Sequence, residues 1–458
     1  MNTMPENTTI VALASGSGVA GIAAVRVSGP DAFAIANLVF EGPGFGPNPE
    51  AKHAVYGILK NPGGALGVEN KDSYVIDQAV ALPFVGPASY TGEDTVEFFC
   101  HGGQEVVKAV IKACREAGAE PAEAGEFTRR AFLNGKLSLD QAEAVADLIH
   151  APSEHAARAA IGQLLGGLDE QLQSIEKPLL DVLAEVEGSL EFVDEEEIEV
   201  PQSEVLRVLS GSIKSLEKLV AMAPAGRLLR DGIHLVLAGE PNVGKSSLFN
   251  QMLGDDRAIV DGEAGTTRDV ISARLPRAGS VFVLHDTAGL RAGAGRIEQL
   301  GIERTTRQVG EADIVLALAE AGKTPPELPP SGAPTIVVYS KSDLAPDFVA
   351  PEGSVLISNA SGEGVGDLWD AVDRAVKGFQ LEDAVSLGVV LNERHLHKLS
   401  RCQAELSELK DEIELGHLGD EVIGSMLASI LSGLGEVSGR VFTEQLLGNV
   451  FRRFCIGK

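Results

Sequence analysis

Gly239-Glu240-Pro241-Asn242-Val243-Gly244-Lys245-Ser246-Ser247 fits the phosphate-binding pattern G-x-x-x-x-G-K-[ST]. The apolar run Ile233 to Leu237 before it predicts a buried strand, and Ser247 to Leu253 after it predicts a helix. The alternative is a plain glycine turn, but the full pattern in a strand-loop-helix setting favours phosphate binding. Gly239 and Gly244 let the backbone curl so that its N–H groups face phosphate oxygens. Lys245 neutralises the outer phosphates, and the Ser246 hydroxyl is a Mg²⁺ ligand.

Four further segments follow in order. In Gly265-Thr266-Thr267-Arg268-Asp269, Thr267 is placed to complete the Mg²⁺ shell and sense a γ-phosphate. Asp286-Thr287-Ala288-Gly289 ends an expected strand, Val281–Leu284; Asp286 holds the metal through water and the Gly289 N–H meets the γ-phosphate. Ser340-Lys341-Ser342-Asp343 ends the expected strand Thr335–Tyr339, where Asp343 can accept both N–H donors of guanine. Ser358-Asn359-Ala360 ends the expected strand Val355–Ile357 and closes over the base. These elements predict a mostly parallel sheet with helices on both faces and its ligand loops at strand ends. The segment resembles a Ras-like GTPase domain, binding GTP and Mg²⁺. Ser340 departs from the usual N-K-x-D, and a serine makes fewer of the hydrogen bonds that brace the base loop. Leu290 stands where Ras-type enzymes carry the water-orienting glutamine. Glu298 is the best substitute on the following segment; its other reading is a solvated helix carboxylate.

The flanks carry Thr9-Ile10-Val11-Ala12, Gly21-Ile22-Ala23-Ala24-Val25-Arg26-Val27-Ser28-Gly29 and Ser89-Tyr90-Thr91-Gly92-Glu93-Asp94-Thr95-Val96-Glu97. His101-Gly102-Gly103, Gly125-Glu126-Phe127-Thr128, Arg130-Ala131-Phe132-Leu133-Asn134-Gly135-Lys136 and Phe454-Cys455-Ile456-Gly457-Lys458 follow. Together with the P-loop segment, these resemble the MnmE (TrmE) family of tRNA modification GTPases over essentially the whole chain. The resemblance implies a K⁺-stimulated GTPase that works with the flavoprotein MnmG on C5 of the wobble uridine of tRNA. It implies a homodimer whose N-terminal domain binds 5-formyl-tetrahydrofolate or a related folate through Arg26, Glu97, Lys136 and Lys458. It assigns K⁺ to Asn242 and Thr266, with the carbonyls of Asp261 and Glu263 in the loop Asp261-Gly262-Glu263-Ala264. It makes Glu298 the water-orienting glutamate and sets Cys455 beside the modification chemistry. From residue chemistry alone, Cys455 reads equally well as a small apolar packing residue.

The 458 residues suffice for about three domains. The expected architecture is multidomain: an α+β N-terminal domain over 1–134, a discontinuous α-helical domain over 135–229 and 381–458, and an inserted α/β P-loop GTPase domain over 230–380. Ser138 and Gln141 form a capping box, and helical patterns run over Leu164–Phe192, Ser203–Val220 and from Leu396 to Ile413. Four scattered cysteines give no disulfide framework or zinc spacing, and no histidine pair has trustworthy metal spacing. With no secretory signal or membrane-length apolar run, a cytoplasmic location without membrane association is expected. The net charge of −28 is awkward for tRNA phosphates, so a partner is expected to supply much of the grip. Arg129-Arg130, Arg227 to Arg230 and Arg452-Arg453 read as ordinary surface charge. The competing function is a ribosome-assembly GTPase switch without modification chemistry.

Overall fold

Alternating apolar residues build the first sheet. In the strand Ala20–Ser28, Ala23, Val25 and Val27 are buried while Arg26 between them faces the other way. The computed structural model of the chain describes residues 8–62, 74–191, 201–254, 271–286, 306–452 and 454–458. It divides into two compact units, Met1–Ala146 with Gly435–Lys458, and Asp147–Leu434.

The first unit carries β1 (Ile10–Leu13), β2 (Ala20–Ser28), β3 (Phe40–Glu41), β4 (Val55–Asn61), β5 (Tyr74–Phe84), β6 (Thr95–Gly102) and β7 (Glu120–Pro121). They form one sheet in the order β3-β4-β5-β6-β2-β1-β7, antiparallel except for β1 beside β7. The helices Ala32–Val39 and Gln104–Glu116 share its core: Ile35, Val110 and Cys114 join Val25, Val27 and Phe98. Each large apolar side chain buried there contributes about 2 kcal/mol. Cys100 and Cys114 lie in this core, where burial pushes their thiols up to about 11 and about 12. A second cluster joins Phe132 and Leu139 to Leu447, Phe451 and Phe454 near the end of the chain. The capping box forms: Ser138 N–H donates to Gln141 Oε1 at 2.9 Å, and Gln141 N–H to Ser138 Oγ at 3.4 Å.

The second unit carries β8 (Ile233–Gly239), β9 (Ile271–Arg277), β10 (Ser280–Asp286), β11 (Ile314–Glu320), β12 (Thr335–Ser340) and β13 (Val355–Leu356). The order is β13-β12-β11-β8-β10-β9, parallel except for the β9–β10 hairpin. Central β8 is apolar on both faces: Leu235 and Leu237 pack with Phe282 and Leu316, while Val236 and Ala238 pack with Val309 and Val315. The helix Gln202–Ala221 packs on Glu393–Glu414. Gln202 Nε2 donates to the Ile413 carbonyl across that contact. Helical segments from either side of the P-loop sheet in sequence thus meet. Asn392 caps Glu393–Glu414 by accepting from the His395 N–H at 2.9 Å, and His395 is fully buried, a structural histidine. One helix boundary differs from expectation. Leu164 ends the helix Glu154–Leu164, and a new helix, Gly167–Glu191, starts after Gly166. The positive φ of 102° at Gly166 stops the first helix, a break that continuous apolar periodicity does not reveal. The chain therefore joins an α+β N-terminal part, a helical part and an α/β P-loop part.

Candidate nucleotide site and terminal-tail site

β8 delivers the P-loop to the helix Lys245–Leu253, whose N-cap is Gly244 at φ 98°. Asn242 also takes a positive φ, 64°, so the loop closes tightly around its own backbone. Lys245 is buried; its ammonium donates to the carbonyls of Gly239 at 2.9 Å and Glu240 at 2.7 Å. Burial pushes its pKa down, and Asp286 opposes that shift. Ser246 Oγ donates to buried Asp286 Oδ2 at 2.7 Å. This brings a hydroxyl and a carboxylate together, the hard oxygen donors that suit Mg²⁺. Ser247 is exposed on the same turn.

The base-side loops knit to this cradle. Buried Ser340 Oγ lies 2.6 Å from the Val243 carbonyl and 3.2 Å from that of Ala319. Asn359 Nδ2 donates to the Gly244 carbonyl at 3.0 Å. Ser342 N–H donates to the Ile357 carbonyl at 3.1 Å, and Ser358 Oγ to exposed Asp343 Oδ1 at 2.8 Å. Lys341, at φ 60°, pairs with Glu320, as does Lys323. Hydrogen bonds from Lys323 and Lys341 hold the Glu320 carboxyl down at about 2. Ala360 is exposed at the end of this loop. Sequence reasoning missed Glu320, whose partner Lys341 stands 21 residues on, and Gln251, whose Nε2 donates to the Asn359 carbonyl at 2.7 Å; neither lies within a motif. Asp261, Gly262, Glu263, Ala264, Gly265, Thr266, Thr267, Thr287, Ala288, Gly289 and Glu298 lie outside the described residues. A separate cavity of about 1070 Å³ in this unit, lined by His155, Arg277, Asp370, Asp373, Arg374 and Lys377 among others, includes none of the P-loop or base-loop residues.

The first unit holds a second site, built around Arg26. The β2–β6 register sets Arg26 opposite Glu97, and Arg26 Nε donates to Glu97 Oε1 at 2.8 Å. The guanidinium lies 4.9 Å from the centre of the Tyr90 ring and 5.3 Å from that of Phe127. Its second terminal nitrogen, Nη1, is buried with no hydrogen-bond partner among the described residues. The chain's final residues join this site. Ile456 bridges Ala124, and the carbonyls of Cys455 and Lys458 accept from the N–H groups of Gly125 at 3.3 Å and Phe127 at 3.2 Å. Burial and the nearby Arg26 push the Lys458 ammonium pKa down, with Glu97 opposing. Gly457 sits at φ 99°, where a Cβ would stand 1.9 Å from the Leu13 carbonyl oxygen. Cys455 is exposed beside it. Lys136 follows a different course: its exposed side chain donates to the Pro87 carbonyl at 3.0 Å. Tyr90 and Phe127 stood within the quoted motifs, but nothing in their spacing marked them as ring partners of Arg26.

The arginine clusters correct an expectation in part. Arg130 is largely buried and binds the Thr8 carbonyl, Glu93 and Glu126. Arg227 pairs with Asp313, and Arg230 donates to the Leu391 carbonyl at 2.7 Å. Arg130 and Arg230 answer internal acceptors, whereas Arg227, its side chain 48% exposed, and exposed Arg452 lie as the expected surface charge; Arg453 is outside the described residues.

The family model for the GTP-binding protein TrmE N-terminus matches residues 9–136, and that for the MnmE helical domain matches residues 139–455. A tRNA modification GTPase MnmE from Akkermansia muciniphila is 40% identical over 462 residues, covering 100% of both chains. The relative of the same name from Thermus thermophilus is 38% identical over 452 residues, covering 98% of each. Among solved structures, the G domain of the T. maritima FeoB iron transporter is 23% identical, covering 31% of this chain and 98% of that one, at a TM-score of 0.25. With family models over both its parts and relatives matched along their whole length, the chain belongs to the MnmE family of tRNA modification GTPases.

Proposed function

We propose that this chain hydrolyses GTP in the service of tRNA modification, as a K⁺-activated enzyme that works with the flavoprotein MnmG on C5 of the wobble uridine. The observation that carries the GTPase reading is Lys245, buried in the P-loop and held by the Gly239 and Glu240 carbonyls beside the Ser246–Asp286 pair. Bound phosphate offers that ammonium a stronger, charged acceptor than two carbonyls. Ser246, with Thr267, is the proposed Mg²⁺ ligand, and Asp286 supports it through water. Mg²⁺, when bound, supplies charge neutralisation at the phosphates. Asp343, already oriented by Ser358, selects guanine. Asn242, Asp261, Glu263 and Thr266 are the proposed K⁺ site, and Glu298 orients the attacking water.

In the first unit, Arg26, Glu97 and Lys458, with Lys136, are the proposed folate site. A guanidinium with one nitrogen unpartnered among the described residues, near two aromatic rings, suits a flat, anionic ligand. This unit is also the proposed dimerisation domain. The internal use of Arg130 and Arg230 supports a partner that supplies much of the tRNA contact. The domain reading is 1–134, 135–229 with 381–458, and 230–380, and the compartment is the cytoplasm. GTP turnover by the purified chain in KCl against NaCl, with Glu298→Ala alongside, tests the mechanism. K⁺-dependent turnover lost in the variant is expected. Equal rates in the two salts remove the K⁺ assignment, and an undiminished variant removes Glu298.

A further inference from the structure

Two side chains from different loops converge beside Gly244. Ser340 ends β12 and Asn359 follows β13. Their polar atoms meet successive P-loop carbonyls: Ser340 Oγ is 2.6 Å from Val243 O, and Asn359 Nδ2 is 3.0 Å from Gly244 O. The position where a Cβ on residue 244 would stand is 2.4 Å from Asn359 Nδ2 and 3.9 Å from Ser340 Cβ. The two side chains therefore share one small space. A serine hydroxyl has a single proton, here placed between Val243 O and Ala319 O. An asparagine at 340 would bring two donors, but its amide would need the room that the Asn359 amide fills.

Resting on the guanine-nucleotide reading above, we infer that Asn359 is a positioning residue for the base loop, whose carboxamide supplies at Gly244 O the second P-loop brace that the single hydroxyl proton of Ser340 cannot make. Gln251 holds the same residue from behind: from the helix Lys245–Leu253, its Nε2 donates to the Asn359 carbonyl at 2.7 Å. The base loop is thus tied to the phosphate loop through both side chain and backbone of Asn359. Guanine affinity depends on Asn359 through Gly244, and positions 340 and 359 act as a matched pair.

The test uses the full chain and fluorescent GDP and ADP analogues, reading Kd and release rate. Asn359→Ala, and Asn359→Leu, which keeps the branched heavy-atom layout and removes the donor, each raise the GDP Kd about fivefold to tenfold, the worth of one hydrogen bond. Ser340→Asn alone weakens binding similarly, because its amide crowds that of Asn359. Ser340→Asn combined with Asn359→Ala returns to within about twofold of the parent, a coupling that misfolding cannot produce. An unchanged GDP Kd in both Asn359 variants overturns the inference. So does a double variant that binds no tighter than Ser340→Asn. A parent chain that binds the ADP analogue as tightly as the GDP analogue overturns the guanine reading itself, whatever the variants do.

Discussion

The nucleotide cradle and the Arg26 site are built in opposite ways. The cradle's phosphate end is one short run of sequence, with Lys245 held by carbonyls five and six residues before it. The Arg26 site draws on a cross-strand partner 71 residues away, on aromatic rings from two further stretches and on the last residues of the chain. A local site tolerates change elsewhere in the fold. An assembled site inherits the stability of everything that brings its parts together. Substitutions should therefore act differently in the two places.

The largest expected effect is local. Lys245→Ala removes the only side-chain cation of the P-loop and should weaken GTP binding by about 4 kcal/mol. Titration with GTP checks this, and unfolding of the first unit should be unaffected. Glu97→Ala leaves Arg26 largely buried without its counter-ion and should destabilise the first unit by about 3 kcal/mol. Urea unfolding measures it, and a loss below about 1 kcal/mol would mean that solvent already screens the pair. Gly457→Ala forces a Cβ against the Leu13 carbonyl at a positive φ, so the tail should undock at a cost of about 2 kcal/mol. Faster amide exchange at Phe127, with GTP turnover unchanged, is the signature.

The smallest effect concerns pH. His285 on β10 stacks on His234, and burial, with His234 beside it, lowers its pKa to about 4. Its unfolded value is higher, so the unfolded chain binds the extra proton first. The second unit should therefore lose stability as pH falls from about 6.5 towards 4, by about 1 kcal/mol for this partly buried group. His285→Phe should flatten that slope. If the slope persists in the variant, other groups carry it.

The same contrast explains what the sequence made legible. The P-loop, the ends of β10 and β12, and the capping box at Ser138 are written in neighbouring residues, so pattern alone located them. β9 and β11 went unread, although β11 is a run of buried apolar residues, Ile314 to Ala319, that forms the middle of the sheet. An apolar run without a loop motif at its end carries no label. Arg26 and Glu97 came from family resemblance; their direct pairing follows from the β2–β6 register, which no single strand specifies. The roles of Arg130 and Arg230 were misread because a charge cluster in sequence says nothing of the carbonyls and carboxylates that fold against it. Asn359 was legible as a loop residue, but its grip on Gly244 needed the geometry.

The central claim is that the P-loop, braced to Ser340 and Asn359, forms with Asp343 a guanine-specific nucleotide site. Calorimetric titration of the purified chain with GDP and with ADP, in Mg²⁺ and KCl, tests it most directly. The account predicts binding of GDP at least about a hundredfold tighter than ADP, with Lys245→Ala abolishing the GDP signal. Equal affinity for the two nucleotides, or GDP binding that survives Lys245→Ala undiminished, would contradict it.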